Sequence, residues 1–198
     1  MKIRKIITFY KIILTKLKYN FTLKKLGKKV IIEKPILFLG KKYIEIEKGV
    51  FIRKNSRIEV IDNFNKKIFT PKLKIGKNVN IEQNFHCTCA GNITIGDNTS
   101  ITENVSIFNI IHPYKNINIA PKFQDIEVKD ISIGENCFIG ANVVILPGSV
   151  IGKNVTIGSN SVVNKKTPDN VVIAGIPAKI IKKYNFKLEK WEKYNEKL

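Results

Sequence analysis

Arginine is nearly missing from a chain otherwise rich in positive charge: only positions 4, 53 and 57 among 35 lysines and arginines, against 16 acidic residues and a formal net charge of +19. Proteins that read nucleic-acid bases present arginines in compact clusters interleaved with aromatics, and no such cluster exists here, so a nucleic-acid partner is not expected. The charge is a lysine bias that accompanies abundant isoleucine and asparagine. Cysteine is scarce as well, and Cys87, Cys89 and Cys137 are odd in number and lack metal-ligand spacing. A reducing cytoplasm is the expected setting. Long hydrophobic runs are absent: lysines at 5, 11 and 16 break the N-terminal apolar stretch below the length of a secretory signal or a membrane span. At 198 residues with 43% hydrophobic content, the chain can bury the core of one domain.

What the sequence does have is a period of six. Ile133, Ile139, Ile145, Ile151, Ile157 and Val163 form an unbroken aliphatic column. Glycine follows at 134, 140, 152 and 158, asparagine at 136, 142, 154 and 160, and a small or aliphatic residue at 137, 143, 149, 155 and 161. The period recurs upstream in shifted registers, from Ile75 and Ile81 to Cys87, through Ile95, Ile101 and Ile107, and more weakly at Ile46, Ile52 and Ile58. An α-helix at 3.6 residues per turn would carry such a column around its cylinder within a few repeats. A strand followed by a corner fits: one aliphatic side chain per hexad points inward, and glycine or asparagine tolerates the corner's backbone. Three hexads then make a triangular coil, and coils stack at about 4.8 Å.

Chemistry is expected where the repeat breaks. The longest break, 113–130, follows directly on His112 and contains Tyr114, Lys115, Phe123, Gln124, Asp125 and Glu127. A loop of that length on a compact solenoid is expected to serve function, a tolerated insertion being the plainer alternative.

The hexad columns resemble those of the hexapeptide-repeat acyltransferases, which fold as a left-handed parallel β-helix. That resemblance implies an all-β solenoid, with the handedness coming from the resemblance and not from the period. The string Asn104-Val-Ser-Ile-Phe-Asn-Ile-Ile-His112-Pro-Tyr114 looks like the catalytic segment of galactoside and maltose acetyltransferases. It implies acetyl transfer from acetyl-CoA to a sugar hydroxyl, with His112 as general base and no acyl-enzyme. Asn84 falls on the position that binds the acceptor sugar, although it also occupies a corner column, and Tyr114 is a second acceptor candidate. His86 is read as an exposed strand residue, a further acceptor contact being the alternative. The resemblance places the pantetheine arm of CoA along Phe138 to Ala141, with the Ala141 amide at the developing oxyanion, then past Ser159. Lys165, Lys179 and Lys182 match positions facing the CoA phosphates, in a segment whose Ala-Gly-Ile-Pro-Ala-Lys string is similar to the family's terminal coil. Asp130 departs from the proline common there, so the loop's return path is open. A carboxylate to orient the imidazole is sought in Asp125 or Glu127.

The expected organisation is a basic amphipathic helical segment over 1–30, the β-helix over 31–178 with its acceptor loop 113–130, and a C-terminal tail or helix over 179–198. In the first segment Ile3, Ile6, Ile7, Tyr10, Ile13, Leu14, Leu17 and Phe21 fall at helical spacing, with Lys2, Arg4, Lys5, Lys11, Lys16 and Lys18 flanking them. Two readings stay open: a cap over the first coil's strand edges, or peripheral attachment to an anionic inner membrane. Phe186, Leu188, Trp191 and Tyr194 are expected to pack at the other end or on a neighbouring subunit. The expected function is acetylation of a surface-polysaccharide or lipopolysaccharide sugar by a cytoplasmic homotrimer. A xenobiotic or small-sugar acetyltransferase and a non-catalytic scaffold are the alternatives. A zinc carbonic anhydrase on the same scaffold needs three histidine ligands, and the chain has only His86 and His112.

Overall fold

A computed structural model describes residues 2–194, apart from the side chains of Lys2 and Arg4; expectations placed on those two side chains and on 195–198 lie outside it. Three parallel sheets run along a solenoid. Face A is a seven-stranded sheet through 25–26, 44–46, 72–75, 92–95, 131–133, 150–151 and 166–167. Face B passes through 31–32, 51–52, 80–81, 100–101, 138–139, 156–157 and 171–175, and face C is six-stranded, from 37–39 to 162–163. Every coil visits A, B and C in turn, so the six strands of face C mark six complete coils, and the seventh ends after face B.

The hexad columns become three internal ladders. On face B, Ile81, Ile101, Ile139 and Ile157 are partners in direct register, all essentially inaccessible to solvent. Cys87 replaces an aliphatic on face C, between Ile58 and Ile107, and Cys89 is likewise buried, so both are core residues. Asparagine serves the corners through its backbone and its amide together. Asn78, Asn98 and Asn136 stand in the left-handed region at φ of 54°, 56° and 57°, which asparagine tolerates better than a β-branched residue would. Their side chains then bond from coil to coil, Asn78 Nδ2 to Asn98 Oδ1 at 3.1 Å and Asn98 Nδ2 to Asn136 Oδ1 at 3.2 Å. A second ladder follows the edge between faces B and C, through Asn84, Asn104, Asn142 and Asn160 at 2.9–3.0 Å.

Four boundaries differ from those expected. The first coil begins at Lys25, where 25–26 pairs with 45–46, because Leu26, Ile32 and Phe38 already occupy the ladder positions. The repeat breaks at Asn109, with Ile110 and Ile111 leaving the coil to pair antiparallel with Val128 and Glu127. The C-terminal segment is a β-ribbon and not a helix: 178–185 pairs antiparallel with the last strand of face B, and 190–193 pairs with 178–185. Its residues suit that role, since Ile180, Ile181, Tyr184 and Trp191 favour strands and the last coil otherwise presents an unpaired edge. Tyr184 stacks edge-on with Phe186 and Trp191 at 5.0 and 5.4 Å.

The fourth difference lies in the helix Lys2–Tyr19. It does rest on the first coil, with Thr15 Oγ1 accepting from the Ile32 amide at 3.0 Å, Tyr19 edge-on to Phe38 at 5.4 Å, and Lys11 paired with Glu33 at 2.6 Å. The face that docks, however, is that of Ile12, Thr15 and Tyr19. The apolar stripe read from the sequence stays exposed on the other side.

Candidate functional site

Two excursions leave the solenoid, both at the edge where face C turns into face A. The expected one spans 109–130. The other is a short hairpin, Asn63–Phe64 paired antiparallel with Lys67–Ile68, inserted after the second coil. Its turn residues Asn65 and Lys66 both have positive φ, 48° and 70°, as a two-residue hairpin turn requires. The hairpin went unread in the sequence. The signal was a phase slip, since the ladder position at Val60 is followed on face A only at Leu73, too far for an ordinary corner.

The two excursions meet at His112. Its imidazole is exposed, with the Phe64 ring packed edge-on at 5.9 Å, and Asn65 Nδ2 donates to the Gln124 carbonyl at 3.3 Å. The base of the long loop is rigidly held. Asn109 is fully buried, and its Oδ1 accepts from the Ala90 amide at 2.9 Å while its carbonyl accepts from Lys129 N at 2.9 Å. Ile126 is buried, anchoring the return. Asp130 closes it, accepting from Asn92 N at 2.7 Å and Asn92 Nδ2 at 2.8 Å. A proline at 130 could not do this, so the departure noted in the sequence is a clamp across the loop's base. Within the loop, Gln124 Nε2 donates to the carbonyls of Asn116 and Ile119 at 2.9 and 2.7 Å. Tyr114 is exposed two residues beyond His112.

Of the two carboxylates considered for orienting the imidazole, Glu127 is bonded to Lys115 at 2.8 Å, an interaction that holds its carboxyl below the usual range, and Asp125 is exposed. His86, expected on an exposed strand position, is half-buried on face C, edge-on to Phe108 at 4.9 Å. Burial, reinforced by the Arg57 guanidinium, lowers its pKa.

The residues matched to the donor gather elsewhere, along face B and its edge with face C. Phe138 is in register with Thr156, Thr156 with Val172, and Val172 with Lys182, so Phe138 and Lys182 share one column. The neighbouring track is small: Gly140, Gly158 and Ala174, with Ala174 opposite Lys179. A Cβ on Gly140 would lie 2.7 Å from Ser159 N, and one on Gly158 would lie 3.0 Å from the Ala174 Cβ. Ala141 and Ser159 stand one above the other on the B–C edge, where the Ala141 carbonyl accepts from Asn160 N at 2.8 Å. Its own N–H makes no hydrogen bond among the described residues. Lys165 stands apart from these, on the C–A edge between 162–163 and 166–167, and at the end of the solenoid it lines with Lys179 and Tyr194 a cleft of about 150 Å³.

Asn84 belongs to this second group. It sits on the B–C edge at the foot of the asparagine ladder, φ 60°, its amide bonded to Asn104. The chain therefore builds two separate assemblies: His112, Phe64 and the long loop at the C–A edge, and Asn84, Ala141 and Ser159 at the B–C edge, with Phe138, Lys179 and Lys182 on the adjoining face B. Face C lies between them. Its strands are two to four residues long, and with their corners they make that face on the order of 15 Å wide, so one chain does not bring the imidazole to the Ala141 amide.

Residues 130–165 match the bacterial transferase hexapeptide family (six repeats). A protein of Escherichia coli (strain K12), provisionally named a lipopolysaccharide biosynthesis O-acetyl transferase, is 36% identical over 123 residues, 59% of this chain and 63% of that one. The galactoside O-acetyltransferase of the same organism is 39% identical over 116 residues, 56% of each chain. This chain thus spans about three fifths of the length of these relatives. Among solved structures, a galactoside acetyltransferase in complex with coenzyme A superposes with a TM-score of 0.62 at 29% identity, covering 77% of this chain and 71% of that one. By its six-residue repeat and its coil, the chain has the left-handed β-helix fold, and it is similar to the hexapeptide-repeat acyltransferases.

Proposed function

We propose that the protein transfers the acetyl group of acetyl-CoA to a hydroxyl of a sugar, in the cytoplasm, on a glycan of the surface-polysaccharide or lipopolysaccharide kind. The observation that carries this reading is the seat of His112, exposed at the junction of the two excursions over a base fixed by Asn109, Ile126 and Asp130. A sugar hydroxyl is a weak nucleophile until its proton begins to leave, and a neutral imidazole can accept that proton. The hydroxyl oxygen adds to the thioester carbonyl, and the tetrahedral oxyanion takes the Ala141 N–H. Collapse breaks the C–S bond, and the proton held on the imidazole passes to the CoA sulfur, leaving the acetyl ester and free CoA. Tyr114 and Asn84 contact the acceptor. Phe138, Ala141 and Ser159 follow the pantetheine arm, and Lys165, Lys179 and Lys182 meet the phosphates, as mobile point charges suited to an anion.

The two assemblies become one site in a cyclic homotrimer, where the C–A edge of one copy faces the B–C edge of its neighbour. The support is the separation of the two edges by face C. The test is thiol release and product mass on incubation of acetyl-CoA with free sugars, glycosides and lipid-linked glycans, comparing wild type with His112→Ala. General-base removal lowers turnover by about 10² to 10⁴. Wild-type turnover by the variant ends the proposal for His112, and release with no acceptor in the panel ends it for the sugar. Mixing His112→Ala chains with chains impaired at Lys179 and Lys182 restores some activity if the site is shared.

A further inference from the structure

The helix Lys2–Tyr19 is amphipathic in an unusual sense, because the side that docks on the protein is the smaller and more polar one. Successive residues are 100° apart, so Thr15 and Tyr19, which dock, lie opposite Ile6, Tyr10 and Leu17. The exposed face comprises Ile3, Ile6, Tyr10, Ile13, Leu14 and Leu17, with Ile6 at 66% and Leu17 at 74% of full accessibility. Lysines line both borders of this face, Lys11 and Lys18 on one side, Lys5 and Lys16 on the other. The helix contains no acidic residue.

We infer that this outward face lies in the interface of an anionic lipid bilayer. A helix with a wide apolar arc bordered by lysines places the arc below the headgroups and the ammonium groups among the lipid phosphates. The competing occupant is a second copy of the chain, apolar face against apolar face. Charge decides between them. Two such helices would bring Lys5, Lys16 and Lys18 of each together with no carboxylate on either helix to offset them, Glu33 being taken up by Lys11, in chains that each carry +19. An anionic surface neutralises the same lysines. Since the docked face is held by the Thr15, Tyr19 and Lys11 contacts, the apolar face is presented without any rearrangement of the first coil. The inference does not depend on the acetyl-transfer reading.

The experiment is flotation of the full-length protein with vesicles of phosphatidylcholine, with and without phosphatidylglycerol. Binding is expected only with phosphatidylglycerol, weakening as salt rises. Ile6→Glu with Leu17→Glu, at exposed positions that leave the melting temperature unchanged, should lower the bound fraction at least about tenfold. Lys5→Gln with Lys16→Gln should lower it on anionic vesicles while preserving the apolar face. Absence of binding to anionic vesicles, or binding that survives both pairs of substitutions, overturns the inference. So does an unchanged bound fraction accompanied by loss of self-association in the Ile6→Glu, Leu17→Glu variant, which would assign the face to a contact between copies.

Discussion

Gly91→Ala is the substitution that most directly asks whether the base of the long loop sets the geometry at His112. Gly91 lies in the short return of the third coil, against the base of the long loop. A Cβ there would stand 2.6 Å from Val128 Cγ1, 2.7 Å from Asp130 Oδ1 and 3.2 Å from Asn109 Nδ2. Ordinary contact begins near 3.4 Å, so Val128 and Asp130 must retreat by about 0.8 Å. All three neighbours belong to the base: Val128 pairs with Ile110, Asp130 clamps Asn92, and Asn109 holds Ala90. Weakening the two Asp130 bonds costs about 1–2 kcal/mol at this exposed position, or a few degrees of melting temperature for a chain of this length. Catalysis should suffer more, because misplacement of a reacting group by about 1 Å lowers rate by up to about 10²-fold. The expected result is a fall in kcat/KM for the acceptor of about 10- to 100-fold, with acetyl-CoA affinity by calorimetry unchanged, since the B–C edge is untouched. Wild-type acceptor kinetics in Gly91→Ala would refute the idea that this base positions the imidazole.

At the end cleft, Lys165→Gln with Lys179→Gln should weaken acetyl-CoA more than a dephosphorylated analogue, and the gap should narrow with salt; equal losses would free these lysines from any phosphate. The thiols should be silent in the folded protein. Burial pushes Cys89 up to about 12 and Cys87 and Cys137 upward as well, so alkylation near pH 8 should modify none of the three until denaturant is added. His86 should make the fold acid-sensitive: its folded-state pKa is lowered by burial and then by Arg57, so the unfolded chain binds the proton first. Stability is then lost as pH falls through the ordinary imidazole range toward the lowered folded value. His86→Gln should flatten the melting temperature between pH 7 and 5, and an unchanged slope would place the acid sensitivity elsewhere.

The solenoid was legible because its energetics are one-dimensional. Each inward Ile meets only its equivalents above and below, so burial writes itself into the sequence as a period, and Ile133 to Val163 could be placed without any long-range information. Coil starts were harder where the column is irregular, as at Leu26 and Phe38. The hairpin at 63–68 was missed because six residues with only Phe64 and Ile68 apolar carry no period of their own. Neither could the sequence say which face of the helix docks. Ile12, Thr15 and Tyr19 are a weaker stripe than the one beside them, and only the shape of the first coil selects them, through the Ile32 amide that Thr15 satisfies. The site was half legible. His112 is marked by a break in the period, and Phe138, Ala141 and Ser159 fall in successive coils that register stacks into one strip. The distance between those groups is set by face C, a three-dimensional quantity that no local pattern encodes.

That separation has a consequence for how the two halves of the reaction can vary. Both excursions leave the same edge, after the second and fourth coils, while the third returns directly through Ala90 and Gly91 between them. The space facing His112 is therefore walled by two insertions that contribute nothing to the aliphatic ladders, and either can change in length or sequence at small cost to the core. The donor strip has no such freedom. Gly140, Ser159 and Ala141 are bonded or packed to the coil above, and a Cβ at 140 would strike Ser159 at 2.7 Å. Asn84, Asn104, Asn142 and Asn160 bind the same edge into one ladder. On the proposed assignment, acceptor choice is carried, Asn84 apart, by segments the solenoid tolerates, and donor choice by segments the solenoid is made of. Exchanging the 63–68 hairpin or the tip of the 113–125 loop should alter which hydroxyl compound is used while acetyl-CoA affinity stays constant, and a loop exchange that abolished CoA binding instead would show that the two edges are not independent.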